Sequence, residues 1–285
     1  MVVISVQKYN EITEFIKNYR GLMIDCDKEL QTAFPEYSAT VLSSILSREV
    51  QKRLKATYYP IQAQSARLLQ QYEKQIAENP QNDSVLLDMA VKVRFSPVGL
   101  ARLLLAEMFK GSRTKNEVSN MVKNPYLIPD AALGANVRKC LFNDNYDGPI
   151  SDFIRRFMGE EYEIRLKQMA KDAGLVFNDE GDLRRTGYDK TPDLKLAIPC
   201  LYRGTPIHWI ESKALFGDAA NHEKYVREQL SCYRNRFGAG IVIYWMGYVD
   251  SVADTDASMI FVRDSFPEAN ELTLLKTELH VKKLT

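Results

Sequence analysis

Paired cysteines, histidine clusters and an excess of either charge are all missing from this chain of 285 residues. Cys26, Cys140, Cys200 and Cys232 stand far apart, form no CxxC pair and show no zinc-like spacing with the three histidines. That argues against a zinc ribbon or a disulfide-stapled scaffold and reads as free thiols in a reducing compartment. No apolar run approaches the roughly 20 residues needed to span a bilayer. The N-terminal MVVISVQKYNEI meets a charge at Lys8, unlike a secretory signal. Lys and Arg (38) nearly cancel Asp and Glu (37), for a net charge of +1. Bulk charge therefore names no polyanionic partner, although an enzyme of nucleic acids needs only a basic groove, which composition does not reveal. Repeats and low-complexity tracts are absent too. What is present is the composition of a soluble globular protein, 45% hydrophobic and 26% charged, with material for one large domain or two ordinary ones.

Up to about residue 148 the periodicity is helical. Val41, Leu42, Ile45, Leu46, Val50 and Leu54 share one helical face, and Leu68, Leu69, Tyr72 and Ile76 mark another. Ser96-Pro97 reads as a helix start followed by the stripe Leu100, Leu103, Leu104, Met108. Thr114 and Glu117 spell a capping box, in a helix that should stop before Pro125. Short helices with tight connections predict a helix-turn-helix-like bundle over 1–148. Lys52, Arg53 and Lys55, beside Tyr58 and Tyr59, form a small basic cluster. It reads first as a solvated face and second, with Lys190, as a nucleic-acid contact.

Around NDNYDGP at 143–149 turn residues take over, and a second domain, 149–285, is expected to begin. The order predicted there is α-β-β-β-α-β. A helix from Ser151 to Ala173, broken near Gly159, is expected to carry Phe153, Ile154, Phe157, Leu166, Met169 and Ala170 inward, with Gly174 as its C-cap. Leu175 to Phe177, Asp193 to Tyr202 and Ile207 to Lys213 read as strands, the last two joined by a hairpin turn at 203–206. A helix capped by Asn221 then runs to about Arg236. Ile241 to Trp245 reads as a covered strand and Ser258 to Val262 as a further one.

The chemistry sits at Thr191-Pro192-Asp193 and in the strand IHWIESK at 207–213. With a side-chain period of two, Glu211 and Lys213 point to one face with Trp209, while His208 faces away. A hairpin brings Asp193 towards Glu211. Two carboxylates, with the backbone carbonyl of Ser212, suit a hard divalent cation, Mg²⁺ or Mn²⁺. Lys213 fits beside an attacking water or a charged phosphate. Glu163 on the preceding helix and Gln229 on the following one are further candidates. Each residue also has an ordinary role: Asp193 as a turn cap, Glu211 with Lys213 as a surface ion pair, Glu163 and Gln229 as helix-surface groups. Pro129-Asp130 and Asp193-Leu194-Lys195 repeat parts of the spelling. The placement of Glu-x-Lys within an apolar strand favours the site, because charges in a covered sheet need a reason.

GYDKTPDLKL, HWIESKALFGD and YRNRFGAGIVIYWMGYVD, with SPVGLAR and NDNYDGPISD, resemble the codanin-interacting nuclease family with its TPD motif, within the PD-(D/E)XK superfamily and near the Holliday junction resolvases. The resemblance implies a restriction-endonuclease-like αβββαβ core with a mixed sheet behind the helical bundle, and a metal-dependent DNA endonuclease. It matches Asp193, Glu211 and Lys213 to the motif positions and Glu163 to the helix glutamate. It also implies codanin as partner, a nuclear and cytoplasmic distribution and a link to erythroid differentiation. Resolvase-like relatives act as dimers, so a homodimer is one outcome for an oligomeric state the residues leave open.

Two rival readings stand beside the nuclease. One is a catalytically silent adaptor that docks codanin, with Tyr248, Phe266 and Leu275 as exposed candidates. The other is a helix-turn-helix transcription factor with an inert appendage.

Overall fold

A computed structural model describes residues 2–253 and 259–275. Ser258 and His280 lie outside the described residues. Two compact units divide the chain: Asn10–Arg156, and Phe157–Thr285 together with Met1–Tyr9. The first strand, β1 (Val3–Ile4), pairs in parallel with a late strand at Tyr248–Val249, so the N-terminus belongs to the second unit by hydrogen bonding.

The first unit is helical: α1 (Val6–Asn18), which begins in the other unit, then α2 (Met23–Ala33), α3 (Ala39–Gln62), α4 (Ser65–Glu78), α5 (Val85–Val93), α6 (Pro97–Met108), α7 (Lys115–Lys123) and α8 (Ala131–Phe142). The stripes expected from periodicity are the core. Leu42, Ile45 and Leu46 of α3, Leu68 and Tyr72 of α4, and Leu100, Leu103 and Leu104 of α6 are buried. The caps are local chemistry. Ser96 Oγ accepts from Gly99 N–H at 2.7 Å, and Thr114 with Glu117 closes both halves of its capping box. Asp130, in the second Pro-Asp, caps α8 through Leu133 N–H at 2.7 Å. The NDNYDGP turn is tied into this unit by the buried Asp144. Its Oδ2 accepts from Ser96 Oγ (2.6 Å) and Val98 N–H (3.3 Å), and its Oδ1 from Tyr146 and Asp147 N–H (3.1 and 3.0 Å).

The second unit is built on α9 (Gly148–Asp172), which begins in the first unit, β2 (Phe177–Asp179), α10 (Glu180–Arg185), β3 (Leu194–Tyr202) and β4 (Thr205–Lys213). There follow α11 (Ala219–Tyr225), a π-helical turn at Val226–Leu230, α12 (Ser231–Phe237), β5 (Gly240–Tyr244), β6 (Tyr248–Val249), β7 (Ile260–Arg263) and β8 (Leu272–Leu274). The sheet runs β2-β3-β4-β5-β7, with β8 also on β3. It is mixed: β3 is antiparallel to β2, β4 and β8, whereas β4, β5 and β7 run parallel. β2 pairs with residues 194–196 of β3 and β8 with residues 200–202, and Pro199 falls in the register shift between them. A proline cannot donate to a ladder, so a bulge is where it belongs. Arg203 and Gly204, at φ 48° and 83°, close the β3–β4 hairpin as a two-residue turn with both centres left-handed.

Several expectations need correction. The helix at 148–172 is unbroken at Gly159. Leu166 and Ala170 are buried in it, but Phe153, Ile154, Phe157 and Met169 are 60%, 42%, 56% and 38% exposed. Phe157 and Leu166 lie nine residues apart, about two and a half turns, so their groups face opposite sides of one helix and only one side can meet the sheet. The cap at 218–221 is Asp218, whose Oδ1 accepts from Asn221 N–H at 3.1 Å. Tyr248 and Phe266 are buried at 6% and 8% exposure, because β6 and the segment after β7 pack inward; Leu275 is exposed. No helix among the described residues is long and apolar enough to cross a membrane.

Asp144→Ala is expected to destabilise the helical unit by about 2–3 kcal/mol, since it strips partners from several buried donors at once. A chemical-denaturation midpoint unchanged from wild type would contradict this account of the turn.

Candidate active site

Strand register sets the first contact. Leu194 pairs with Ile210 and Lys195 with Trp209, so one step outward Asp193 stands opposite Glu211. The two acids then bond crosswise. Asp193 N–H donates to Glu211 Oε2 at 3.2 Å, and Ser212 N–H donates to Asp193 Oδ2 at 2.6 Å. The period of two puts Lys213 on Glu211's face, where its Nζ donates to Glu211 Oε1 at 2.7 Å. Gln229, from the π-helical turn, closes the group: Nε2 donates to Glu211 Oε1 at 2.9 Å while Oε1 accepts from Lys213 Nζ at 3.0 Å. A π-turn inserts one residue into a helix and re-aims its side chains, and such turns gather at functional sites.

The setting is dry. Glu211 is 3% exposed and the Lys213 side chain 14%. Burial, then the charge of Glu211, pushes the Asp193 carboxyl up to about 8. Burial raises Glu211 against the pull of Lys213. Burial alone would lower the Lys213 ammonium, but Glu211 and Asp193 more than offset it, so it stays firmly charged. Glu163, half-buried on α9, is raised by burial and by the charge of Asp193. It makes no hydrogen bond or ion pair with the described residues and joins the group through the charge of Asp193.

The surrounding matrix is aromatic. Trp209 is fully buried, donates Nε1–H to Gly238 O at 2.9 Å and packs edge-on against Tyr233. A side chain at Gly240 would collide with the Trp209 ring, which explains a glycine there. Trp245 donates to Ser212 Oγ at 2.8 Å and packs at a tilt against Tyr162, the neighbour of Glu163.

A family described as "Protein of unknown function TPD sequence-motif" matches residues 129–266, a span that holds this whole group. CDAN1-interacting nuclease 1 of Xenopus laevis is 40% identical over 271 residues, covering 93% of this chain and 89% of the relative. The Homo sapiens protein of that name is 35% identical over 279 residues, covering 96% and 98%. The chain belongs to the CDAN1-interacting nuclease 1 family. The Danio rerio member is 39% identical over 266 residues, with 91% and 88% covered. No solved structure matches the chain.

In this member of the CDAN1-interacting nuclease 1 family, sequence reasoning left several supporting residues unread. Tyr233 OH accepts from Gln229 Nε2 at 2.7 Å and donates to Thr191 O, joining the TPD turn to the π-helical turn. Arg236 reaches Asp189 Oδ1 at 3.2 Å. Lys190, read as a nucleic-acid contact, donates its Nζ to Glu228 O at 2.8 Å. The Tyr225 ring lies 4.8 Å beneath the Lys213 ammonium. The spacing of Tyr225, Gln229 and Tyr233 was the available signal. Glu180, at the start of α10, adds a further negative charge near Asp193 and Glu163. Lys52, Arg53 and Lys55 lie on α3 of the helical unit; Lys52 is held by Glu49 at 2.7 Å, and Arg53 is half-buried with its Nε lacking a partner.

The donor set fits a hard cation. Every available ligand atom is oxygen, and among the described residues Asp193 Oδ1 and the Glu163 carboxylate make no hydrogen bond. Among the described residues no three His, Cys, Asp or Glu side chains converge as a ready-made metal cage. A cation here would rely on two carboxylates, the Ser212 carbonyl and water, the sparse arrangement that Mg²⁺ tolerates.

An acid with a higher pKa folded than unfolded binds more protons in the folded state, so stability falls as pH rises from the ordinary Asp range through about 8. In chelator, the unfolding temperature is expected to be lower at about pH 8.5 than at about pH 6. Asp193→Asn should flatten that dependence and raise the midpoint at about pH 8.5 by roughly 2–4 °C, the effect of about 1 kcal/mol in a domain of this size. Identical pH profiles for the two proteins would refute the assignment.

Proposed function

We propose that this chain is a divalent-metal-dependent DNA endonuclease of the PD-(D/E)XK type, hydrolysing phosphodiesters of branched or otherwise structured DNA. The observation that carries the reading is the crosswise pairing of Asp193 with Glu211 under the Lys213 ammonium. Asp193, Glu211 and the Ser212 carbonyl would hold Mg²⁺ or Mn²⁺, with Glu163 adjacent. Such an ion polarises a phosphoryl oxygen and lowers the pKa of water.

The residues do the rest. Lys213 carries a charge that does not leave at neutral pH, and its position suits the extra negative charge that builds on phosphate during attack. Gln229 is oriented at both ends of its amide, so it can present a fixed dipole to water or to Lys213. Tyr233 holds Gln229 and the TPD turn in one register. Burial of Glu211 keeps competing water away from this charge network.

The names of the relatives support a nuclease role and an interaction with codanin, which we extend to this chain along with a nuclear and cytoplasmic distribution. The helical unit, read as helix-turn-helix-like, would hold the DNA, and a homodimer follows the resolvase analogy. The lack of three converging acids among the described residues favours one second reading, a codanin-binding adaptor that retains the fold.

With Mn²⁺ or Mg²⁺, the full chain is expected to cut branched or linear DNA in a gel assay. Glu211→Gln and Lys213→Ala should each slow cutting by about 100-fold or more while remaining folded. Cutting that persists in both variants would remove this site. A wild-type protein with no cutting, and with no shift of its melting temperature in Mn²⁺, would favour the adaptor.

A further inference from the structure

The helical unit contains a cleft of about 1000 Å³ between α3, α6 and the start of α7. Its floor is apolar, with Leu103 and Val118 among the lining residues. Its walls are not: Lys55, Arg102, Lys110, Arg113 and Lys115 face it, against only two carboxylates, Glu107 and Asp147. A chain whose total charge is +1 has concentrated five cations in one concavity. The two acids are already engaged. Glu107 accepts from Ser65 Oγ at 2.9 Å and meets Lys110 at 3.4 Å. Asp147 accepts from Ser96 Oγ and Gly148 N–H, each at 2.8 Å. Arg113 pairs with Glu117 on the surface at 3.0 Å. Lys55, Arg102 and Lys115 form no ion pair with the described residues.

Aromatic surface accompanies the charge. Tyr58 lines the cleft one helical turn from Lys55 and is 39% exposed. Tyr59 stands edge-on to it at 5.4 Å and is 75% exposed. Cations without an ion pair among the described residues, lining one cleft with an aromatic face beside them, suit a phosphate backbone whose bases are free to stack. A duplex offers the phosphates but keeps its base faces covered.

We propose that this cleft binds a single-stranded segment of nucleic acid, with phosphates on Lys55, Arg102 and Lys115 and an unpaired base on Tyr58. The choice of nucleic acid among polyanions rests on the proposed function; the anion preference rests on the cleft itself. Lys55 thus keeps the role its basic cluster suggested, whereas Lys52, held by Glu49, is not part of the cleft lining.

The test is binding without cleavage. Full-length Glu211→Gln protein in chelator is titrated against a fluorescein-labelled single-stranded DNA of about 20 nucleotides, and anisotropy is read across salt concentrations. Combined Lys55→Gln, Arg102→Gln and Lys115→Gln is expected to weaken binding at least about 10-fold. It should also reduce the slope of log affinity on log salt by about 2, since each phosphate contact on a single strand contributes about 0.7. Tyr58→Ala should weaken single-strand binding about 10-fold and leave blunt duplex binding unchanged. If the triple variant does not fold, Lys55→Gln and Lys115→Gln alone should each lower the slope by about 0.7. Unchanged affinity and slope in these variants overturn the cleft assignment. Polyglutamate competing as well as DNA of equal charge overturns the nucleic-acid assignment in favour of an acidic protein segment. Because no catalysis is read, a wild-type chain that cuts nothing but binds through the cleft sinks only the nuclease reading.

Discussion

Asp193 and Glu211 each hold the backbone beside the other, and the candidate site depends on that exchange. Two acids facing each other across a strand pair lose hydration, so burial and then the charge of Glu211 raise Asp193, while burial raises Glu211 against the pull of Lys213. Two backbone N–H groups and one ammonium offset part of that cost. Among the described residues Asp193 Oδ1 and Glu163 accept no hydrogen bond. Under the proposed function a divalent cation would offset the charge of the two acids.

The second constraint is rigidity. The TPD turn has no regular structure of its own, yet two side chains and one backbone carbonyl of the 226–237 helical stretch fasten it: Tyr233 to Thr191, Arg236 to Asp189, and the Glu228 carbonyl to Lys190. The same helical stretch delivers Gln229 to Glu211 and Lys213. One element thus positions both the turn and the residue that bridges acid to amine, so the group is pre-organised on packed structure rather than on a loose loop. Trp209 and Gly240, in register across β4 and β5, give Tyr233 a firm wall to lean on.

Much of this was legible in the chain because it is local. Helix stripes, Ser96 and Thr114 caps, a hairpin turn within 203–206 and the shared face of Glu211 and Lys213 follow from periods and turn chemistry within a few residues. The errors arose where a local pattern had to choose a partner. α9 carries apolar residues on two faces, and nothing nearby says which one meets the sheet. Tyr248 and Phe266 looked like surface aromatics until β6, β7 and their flanking segments packed around them. β1 is two residues long, too short to announce itself, and exists because Tyr248 and Val249 offer it an edge.

The sequence by itself determined the strand that carries Glu211 and Lys213 and the face they share, since both depend on spacing along one element. Only the tertiary structure decided that Asp193 meets Glu211, that a π-helical turn aims Gln229 at both Glu211 and Lys213, and that Lys55 shares a cleft with Arg102 and Lys115. Those contacts join residues far apart in the chain. Their formation rests on sheet register and helix packing, which no local period encodes.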